Sequence, residues 1–504
     1  MVPAHRKRHL PNHPADGGAV ADRKIAVLFV VSECAPLVKT GGLADVAGAL
    51  PRALAPLGCD VRVLLPAYPG VPEQTTPGET VLDFADLFGG PARVRAADGD
   101  GLALLLLDAP HLYAREGSPY LDPAGRDWPD NHLRFAALCR AGAAIGRRGL
   151  PGDWRPDVVH AHDWQAGLTP AYLRDGGERI ATVITIHNIA YQGLFDAALR
   201  RELELPEAGF TPAGYEFYGR IGFLKAGLVF SDALTTVSPS YAKELMTPDF
   251  GMGLQGVIAE RAGRLHGILN GIDLEVWDPE RDPAVRPFSA RRLAARAANR
   301  RLLVEAFALE PGSGPVFGVV SRLAGQKGLD LLVAALPELV RAGGSLVLLG
   351  SGDRTLEEAF VRAAAEHAGR VGVRLGYDEA LAHRIYAGAD AIIVPSRFEP
   401  CGLTQLYAMR YGALPVVART GGLADTVIDA NEAALRAGVA TGFQFAPGSA
   451  AALTDAIQRA SDCFGSQDLW AQMQRNAMRH PSGWDASAAR YRALYDRVVA
   501  ELRA

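Results

Sequence analysis

The 504-residue sequence contains no hydrophobic run long enough to cross a membrane. Its longest aliphatic run, LALLLL at residues 102–107, is far shorter than the roughly 20 residues that a membrane-spanning helix needs, and it predicts a buried strand. Excess charge is also missing, because the formal net charge is only -4. A protein without strong positive charge is poorly suited to bind nucleic acid. The sequence therefore predicts neither a membrane protein nor a nucleic-acid-binding protein.

Cysteine is scarce, odd in number and never arranged as CxxC. This pattern does not favour a disulfide framework, and it is typical of a protein from a reducing cytoplasm. The first 23 residues are basic but lack the apolar segment of a signal peptide. Because they are rich in Pro, Gly, His and charge, we expect them to form a disordered extension. The five cysteines are Cys34, Cys59, Cys139, Cys401 and Cys463.

Short apolar runs alternate with longer amphipathic patterns along most of the chain. The predicted strands include KIAVLFVVS, DVRVLLPA, PDVVHAH, ATVITIH and DALTTVS, and later GPVFGVVSR, GSLVLLG, ADAIIVPS and ALPVVAR. Several are apolar on consecutive residues, as strands covered on both faces require. Alternation with helices predicts an α/β fold with parallel, doubly wound sheets. A segment rich in charge and proline, residues 266–292, separates two such systems.

The hexapeptide TGGLAD occurs twice, at residues 40–45 and 420–425, each time between an apolar run and a helical pattern. Paired glycines let a backbone approach a ligand closely, and the start of a helix attracts negative charge. Lys39 adds a cation to the first copy, and Arg419 holds the equivalent place in the second. We expect both corners to aim glycine N–H groups at a ligand between two domains. From these residues alone, phosphate binding and an ordinary Gly-rich turn both stay open.

Polar residues follow two predicted strands of the first half. His162 and Asp163 end one strand, and His187 and Asn188 end the other. Ligands gather beyond the carboxyl ends of strands in open α/β sheets, so these residues are candidates for chemistry. The alternative is a histidine satisfied within the structure. No further histidines or carboxylates stand at ligand spacing, so we expect no metal.

The second half offers two cations and a carboxylate at its predicted strand ends. Arg322 and Lys327 both follow the predicted strand GPVFGVVSR. Because two neighbouring cations repel one another, their position favours an anion bound between them over two separately solvated side chains. The corner LLGSGD is small and glycine-bearing, as nucleotides commonly require. Glu399 precedes a Pro-Cys-Gly turn that opens a helix.

The motifs KTGGLADVAGALP, HAHDWQAGL, TIHNIAYQG, SRLAGQKGLD and SRFEPCGLTQLYAMRYG resemble those of bacterial glycogen synthases and the related starch synthases. The resemblance runs from about Lys24 to the last helical pattern, with the motifs in the family's order. It implies the GT-B fold, in which two Rossmann-like domains face one another across a deep cleft. It also implies a C-terminal helix that crosses back to the first domain. The expected segments are an extension (1–23), an acceptor-side domain (24–267), a nucleotide-sugar domain (268–483) and the crossing helix (484–504).

The implied reaction is transfer of glucose from ADP-glucose to the non-reducing 4-OH of an α-1,4-glucan such as glycogen, with retention and without a cofactor. Arg322 and Lys327 match the pair that binds the diphosphate, and Glu399 matches a carboxylate that holds glucose hydroxyls. His187 matches the histidine near the glucose 6-OH, and Asp163 a residue near sugar and acceptor. These five are the expected catalytic residues. The expected substrate-binding residues are Lys39, Gly41, Gly42, Asp45, Asn188, Asn270, Tyr377, Cys401, Gly402, Leu403 and Thr404, with Tyr377 stacking on adenine and Thr404 contacting phosphate.

Position 407 is tyrosine, whereas many retaining GT-B transferases carry a second glutamate there, in an E-x7-E spacing. Tyrosine agrees with the glycogen synthase pattern. Two other functions stay open at this point. One is a GT-B transferase that uses UDP-glucose or a non-glucan acceptor, and the other is a catalytically silent glucan-binding protein.

Overall fold

A computed structural model of the protein describes residues 24–175, 179–310 and 312–504. The extension expected at residues 1–23 lies outside the described residues. The strands are β1 Ile25–Val30, β2 Cys59–Pro66, β3 Thr76–Phe84, β4 Ala92–Gly99, β5 Leu102–Asp108, β6 Val158–His162, β7 Ala181–Ile186, β8 Leu194–Asp196, β9 Glu216–Phe217, β10 Arg220–Gly222, β11 Ala233–Thr236, β12 Leu265–Gly267, β13 Val316–Val320, β14 Ser345–Gly350, β15 Val371–Leu375, β16 Ala391–Val394, β17 Leu414–Ala418 and β18 Phe443–Phe445.

The helices lie between these strands and at the C-terminus. They are α1 Gly42–Leu54, α2 Pro110–Tyr113, α3 Asn131–Arg148, α4 Thr169–Asp175, α5 Phe223–Phe230, α6 Pro239–Glu244, α7 Gln255–Glu260, α8 Ala297–Ala306, α9 Leu329–Arg341, α10 Arg354–Glu366, α11 Glu379–Gly388, α12 Thr404–Arg410, α13 Gly421–Thr426, α14 Glu432–Ala437, α15 Ala450–Phe464, α16 Gln467–Arg479 and α17 Asp485–Arg503. Within the described ranges, no helix has the length and apolar character needed to cross a membrane.

The first sheet has nine strands in the order β12-β11-β7-β6-β1-β2-β5-β4-β3. Its strands pair in parallel from β12 to β5, and β4 and β3 add an antiparallel edge. Every residue of β6 and β7 is buried, which explains why these strands are apolar on consecutive residues. The chain order reverses between β1 and β6, so their carboxyl ends form a crevice suited to a ligand.

The second sheet has six parallel strands in the order β15-β14-β13-β16-β17-β18. Numbered from β13, this is the order 3-2-1-4-5-6 of a doubly wound nucleotide-binding fold, with its crevice between β13 and β16. A separate three-stranded sheet, β8-β10-β9, extends the first half. The prediction of an α/β fold with two doubly wound domains is confirmed.

Each sheet has a hydrophobic core of its own. The first core begins at Ile25, continues to Ile268 and takes in α17 through residues such as Tyr491 and Tyr495. The second core extends from Ile272 to Met478. Helix α17 therefore returns to the first half, as the resemblance implied, whereas the expected domain boundaries at residues 267 and 483 stay predictions.

The chain crosses between the halves twice, and the two crossings lie side by side. The Ile272 N–H donates to the Ser482 carbonyl at 2.8 Å. A Cβ atom on Gly271 would lie only 2.6 Å from the Gly483 carbonyl carbon, so glycine is needed for this close approach.

Candidate active site

The first TGGLAD corner presents an open glycine surface to the second half. Gly41 precedes α1 in an extended conformation (φ -155°), and a Cβ atom placed there would meet nothing within 4 Å. A Cβ atom on Gly42 would lie 4.0 Å from Cδ1 of Leu403, which belongs to the second half. The expected positions Gly42 and Leu403 therefore face one another across the cleft. Only a narrow space separates the two halves at this point.

An internal carboxylate fixes this corner. Glu33 is buried and accepts hydrogen bonds from the Thr40 N–H (2.5 Å), the Thr40 hydroxyl (2.8 Å) and the Gly41 N–H (3.0 Å). The Tyr120 hydroxyl donates to the other oxygen of the same carboxylate at 2.7 Å. The anion that a helix start attracts is thus supplied by the protein, and the Gly41 N–H is not available to a phosphate. Nothing in the sequence around Glu33 or Tyr120 indicated this role.

Lys39 is held at the edge of the cleft by an ion pair with Asp45 at 2.7 Å. Burial lowers the pKa of the Lys39 amine, but the attraction of Asp45 outweighs it, so the pKa lies above its ordinary value. Tyr377 and Glu379 of the second half contribute in the same direction. Lys39 therefore lies within electrostatic reach of the opposite half, where Tyr377 is 80% exposed.

The second TGGLAD corner contradicts the expectation that both corners offer N–H groups to a ligand. The Gly421 N–H donates to Oε1 of Glu244 at 2.8 Å, and the Thr420 hydroxyl donates to the same oxygen at 3.1 Å. The Gly422 N–H donates to the carbonyls of Glu399 and Pro400. The N–H donors of the second corner are used within the protein because this corner packs against α6 of the first half.

The strand ends of the first sheet bring Asp163 and His187 together. Asp163 has a φ of +60°, a conformation rarely adopted by residues other than glycine, and it is 5% exposed. Burial raises the pKa of its carboxyl well above the ordinary value, although backbone N–H groups of Trp164 and Asn188 oppose the shift. One carboxyl oxygen, Oδ1, is buried and has no hydrogen-bond partner within the described part of the chain.

His187 lies beyond the end of β7, with its Nε2 3.1 Å from Nδ1 of His162. Burial lowers the pKa of His187 to about 3, so the ring is neutral at physiological pH. Asn188 accepts a hydrogen bond from the Ala190 N–H through its side-chain oxygen, which stabilises a local turn.

In the second half, Glu399 and Lys327 form a partly buried ion pair at the β13–β16 crevice. The Lys327 amine lies 2.7 Å from Oε2 of Glu399, and the Ser396 hydroxyl donates to the same oxygen at 2.7 Å. Within the described residues, no group donates to Oε1 of Glu399. Arg322, by contrast, is exposed. Ser396 is a further site residue that sequence reasoning missed.

The residues after Glu399 connect the site to the chain crossing. Burial raises the pKa of the Cys401 thiol to about 12, although a backbone hydrogen bond at Asn270 lowers it slightly. The Asn270 side chain is buried, and its oxygen has no partner among the residues that the structure describes. Gly402 has a φ of +70°, and Thr404 begins α12. These positions thus lie in one turn beside Glu399.

A cavity of about 620 Å³ lies beside the first strand ends, and six of its thirteen lining residues are aromatic. Trp164 follows Asp163 directly, and Tyr191 and Tyr218 are 51% and 80% exposed. Trp128 and Met252 complete much of the wall. Within the described residues, no three His, Cys, Asp or Glu side chains cluster as a metal site would require.

Two doubly wound domains with opposed strand ends and a returning C-terminal helix define a glycosyltransferase of the GT-B class. Family models described as "Starch synthase catalytic domain" and "Glycosyl transferases group 1" match residues 26–260 and 314–462. The chain belongs to the glycogen synthase family. It is 56% identical to the glycogen synthase of Roseobacter denitrificans over 94% of this chain and 99% of the relative. The glycogen synthase of Methylocella silvestris is also 56% identical, over 95% of this chain and 99% of the relative.

Solved structures agree with this assignment. The catalytic domain of starch synthase IV from Arabidopsis thaliana, bound to ADP and acarbose, superposes with a TM-score of 0.85 at 30% identity, covering 95% of this chain and all of that one. Sucrose-phosphate synthase from Thermosynechococcus elongatus has a TM-score of 0.59 at 20% identity over 95% of this chain and 100% of its own. The second likeness concerns the fold alone.

Proposed function

We propose that this glucosyltransferase moves glucose from ADP-glucose to the non-reducing-end 4-OH of an α-1,4-glucan with retention of configuration. The observation that carries the proposal is the partly buried Lys327–Glu399 pair behind the point where Gly42 and Leu403 approach across the cleft. A cation, a carboxylate and open glycine backbone within one cleft suit a substrate that combines a diphosphate with a sugar.

The donor lies between the halves. Tyr377 offers an exposed ring for the adenine, and its proximity to Lys39 supports binding of one nucleotide by both halves. The Arabidopsis relative was solved with ADP, the nucleotide that transfer from ADP-glucose releases. Thr404 and the neighbouring turn at Cys401 and Gly402 contact the phosphates at the start of α12.

The leaving diphosphate is stabilised by Lys327 and Arg322. Preorganised charge at the atom where negative charge develops is often the largest contribution to catalysis, and loss of one such donor costs roughly 3 kcal/mol. Arg322 is exposed at the crevice, so it is free to turn toward a bound diphosphate.

Glu399 holds the glucosyl unit and does not attack it. Its Oε2 is occupied by Lys327 and Ser396, which leaves Oε1 for a glucose hydroxyl. Position 407, where a second carboxylate would stand in an E-x7-E enzyme, is a tyrosine that stacks on Trp277 with ring centroids 3.7 Å apart. Retention then proceeds by attack on the same face. The bond between C1 and the phosphate oxygen breaks, the acceptor O4 bonds to C1, and the acceptor proton passes to the departing phosphate.

The first half supplies the acceptor side. His187 and Asp163 contact the sugars at the reacting end, and Asn188 and Asn270 complete the polar lining. The aromatic cavity beside Trp164 accommodates the next glucose units, because aromatic rings pack well on the apolar faces of sugars. We place the enzyme in the cytoplasm, in keeping with five cysteines that all carry free thiols.

A donor assay tests the proposal. The purified protein is incubated with glycogen and either ADP-glucose or UDP-glucose, and the released nucleotide is followed. We expect faster transfer from ADP-glucose and almost complete loss of transfer in Glu399→Gln. Faster transfer from UDP-glucose would contradict the donor assignment. Glycogen binding without any nucleotide release would instead identify a silent glucan-binding protein.

A further inference from the structure

Three histidines occupy one face of the first sheet beside the proposed acceptor side. His160 and His162 alternate along β6 and therefore point to the same face, and His187 follows the neighbouring strand β7. The C-terminal helix covers this face with Tyr491 and Tyr495. The proposed chemistry uses only His187 of the three. The other two histidines therefore need a separate explanation.

His160 is fixed at both of its ring nitrogens. Its Nδ1 lies 2.8 Å from the Tyr495 hydroxyl, and its Nε2 lies 2.7 Å from the Thr185 hydroxyl. The His160 and His162 rings pack with centroids 4.1 Å apart. This contact sets the plane of the His162 ring, and it leaves His162 free to interact with His187 along one edge.

The protons on His162 follow from its surroundings. Nδ1 of His162 is 3.1 Å from Nε2 of His187, whereas Nε2 of His162 is fully buried without a partner among the described residues. A neutral imidazole carries one N–H and one lone pair. A proton on Nε2 would be a buried donor without an acceptor, which proteins rarely tolerate. A proton on Nδ1 is hydrogen-bonded, and only a lone pair is left without a partner.

Both rings are neutral, so each carries a single ring proton. Burial lowers the pKa of His162 well below its ordinary value, with smaller contributions from His160 and His187, and burial also lowers that of His187 to about 3. If the proton of His162 is on Nδ1, it points at Nε2 of His187. That nitrogen must then accept, and the proton of His187 must be on Nδ1.

We propose that His162 is a positioning residue, which donates its Nδ1–H to Nε2 of His187 and thereby holds the proton of His187 on Nδ1. Within the described residues, Nδ1 of His187 has no other partner, and 9% of the residue surface is exposed. His187 thus presents a neutral N–H donor to the site. That this donor meets a sugar oxygen rests on the proposed function, whereas the tautomer itself does not.

Nitrogen NMR of ¹⁵N-histidine-labelled protein without ligand reads the tautomer directly, because protonated and unprotonated ring nitrogens have well separated shifts. The His187 signals are assigned by their absence from a His187→Gln variant. We expect the Nδ1–H form in the unsubstituted protein. His162→Asn keeps an N–H donor at the same distance from the backbone, so it retains this form. His162→Phe keeps the ring packing but removes the donor, so His187 changes to the Nε2–H form.

Activity follows the same pattern in these two variants. Loss of one oriented hydrogen bond predicts a decrease of about tenfold in kcat/KM for His162→Phe, and a change of less than about threefold for His162→Asn. The melting temperature serves as the control for a merely structural effect. An Nε2–H tautomer in the unsubstituted protein, or an unchanged tautomer in His162→Phe, overturns the proposal. Absence of any glucosyl transfer counts against the proposed function and leaves the tautomer measurement valid.

Discussion

The two TGGLAD corners have the same six residues, but they do different things. At the first corner, a Cβ atom on Gly41 would enter open space in the cleft. At the second, a Cβ atom on Gly421 would lie 2.0 Å from the Glu399 carbonyl oxygen, and one on Gly422 would lie 2.1 Å from that of Cys401. The first pair of glycines leaves room for a ligand, whereas the second pair leaves room for the protein's own backbone.

Both corners nevertheless share one device. In each, a glutamate accepts hydrogen bonds from the threonine hydroxyl and from the first glycine N–H. Glu33 does this at the first corner from the same half, and Glu244 does it at the second corner from the opposite half. The final aspartates differ likewise, because Asp45 pairs with Lys39 and Asp425 binds Ser240 across the interface.

A short motif therefore specifies a local shape, a strand followed by a helix start that needs an anion. Which anion arrives, and what lies in front of the glycines, depends on neighbours far away in sequence. The first corner faces a cleft and the second forms the contact between the halves.

Substitution of the first glycine of each corner by alanine should give the largest difference in stability between the two corners. Gly421 has a φ of +43° as well as the close Glu399 carbonyl, so Gly421→Ala should destabilise the protein by about 4 kcal/mol and abolish activity. Gly41→Ala meets neither obstacle and should change stability by less than about 0.5 kcal/mol, while raising KM for ADP-glucose. Denaturant unfolding and initial rates measure both. Equal destabilisation would refute the contrast.

Acid should weaken the first half before the second. Burial lowers the pKa of His160 and His187 to about 3 and that of His162 well below the ordinary value. A histidine whose pKa is lower in the folded than in the unfolded state takes up a proton more readily when the protein unfolds. Its effect on the free energy of unfolding is therefore absent above the unfolded pKa of about 6.5, and the protein loses stability as the pH falls below that value. Between pH 7 and 5.5 the three together should cost roughly 3–4 kcal/mol.

Hydrogen exchange at the two pH values measures this difference by region. Peptides containing β6 and β7 should lose several hundredfold of their protection, corrected for intrinsic exchange rates, as a loss of roughly 3–4 kcal/mol implies. In the second half, burial lowers the pKa of a single described histidine, His480. Peptides there should therefore lose protection by a much smaller factor than those of β6 and β7. Uniform loss across both halves would contradict the prediction.

Removal of the charge from each capping glutamate should also have unequal effects. Both oxygens of Glu33 accept hydrogen bonds. An amide can keep its oxygen toward the two backbone N–H groups, but its NH2 would then replace the acceptor of the Tyr120 and Thr40 hydroxyls, and Glu33→Gln should cost about 2 kcal/mol. Glu244 uses only Oε1, and Oε2 is buried without a partner among the described residues. Burial raises the pKa of the Glu244 carboxyl, so loss of its charge costs little. The amide N–H at the Oε2 position would be a buried donor without an acceptor among the described residues, so Glu244→Gln should cost about 1 kcal/mol, half the cost at Glu33. Thermal and denaturant unfolding compare the two variants.

The basic residue before each corner should affect donor binding only at the first. Lys39→Ala should raise KM for ADP-glucose about tenfold with little change in stability, because its ion pair with Asp45 is partly exposed. Arg419→Ala should leave KM unchanged, since the corner it precedes has no open surface toward a ligand. Steady-state kinetics against varied ADP-glucose test both. A larger effect at Arg419 would reverse the roles assigned to the corners.

Much of the fold could be predicted because buried parallel strands have a clear signature. All ten predicted strands, including LALLLL in β5, are strands of the structure. The antiparallel edge strands β3 and β4 were missed, since half-exposed strands lack a continuous apolar run. The short β8, β9 and β10 offered too few residues for any pattern.

The site was predictable in part, for a similar reason. Motif residues such as Lys327 and Glu399 lie at strand ends, where the topology brings them together. Glu33, Tyr120 and Ser396 were missed because their roles depend on partners in space. The roles of the predicted site residues in catalysis stay predictions until the variants are measured.

The local shapes follow from the amino-acid pattern alone: it shows which segments are buried strands, where helices begin, and where glycines and charges follow a strand. These depend on periodicity and composition within a few residues. Packing between distant residues selects which of the two identical corners faces the cleft and which carboxylate caps each corner. It also leaves Nδ1 of His187 without a partner among the described residues. Such choices depend on contacts between residues far apart in the chain; His160 and Tyr495, for example, are 335 positions apart. No local pattern contains that information, because burial and partners are set when the two halves and the returning helix pack together.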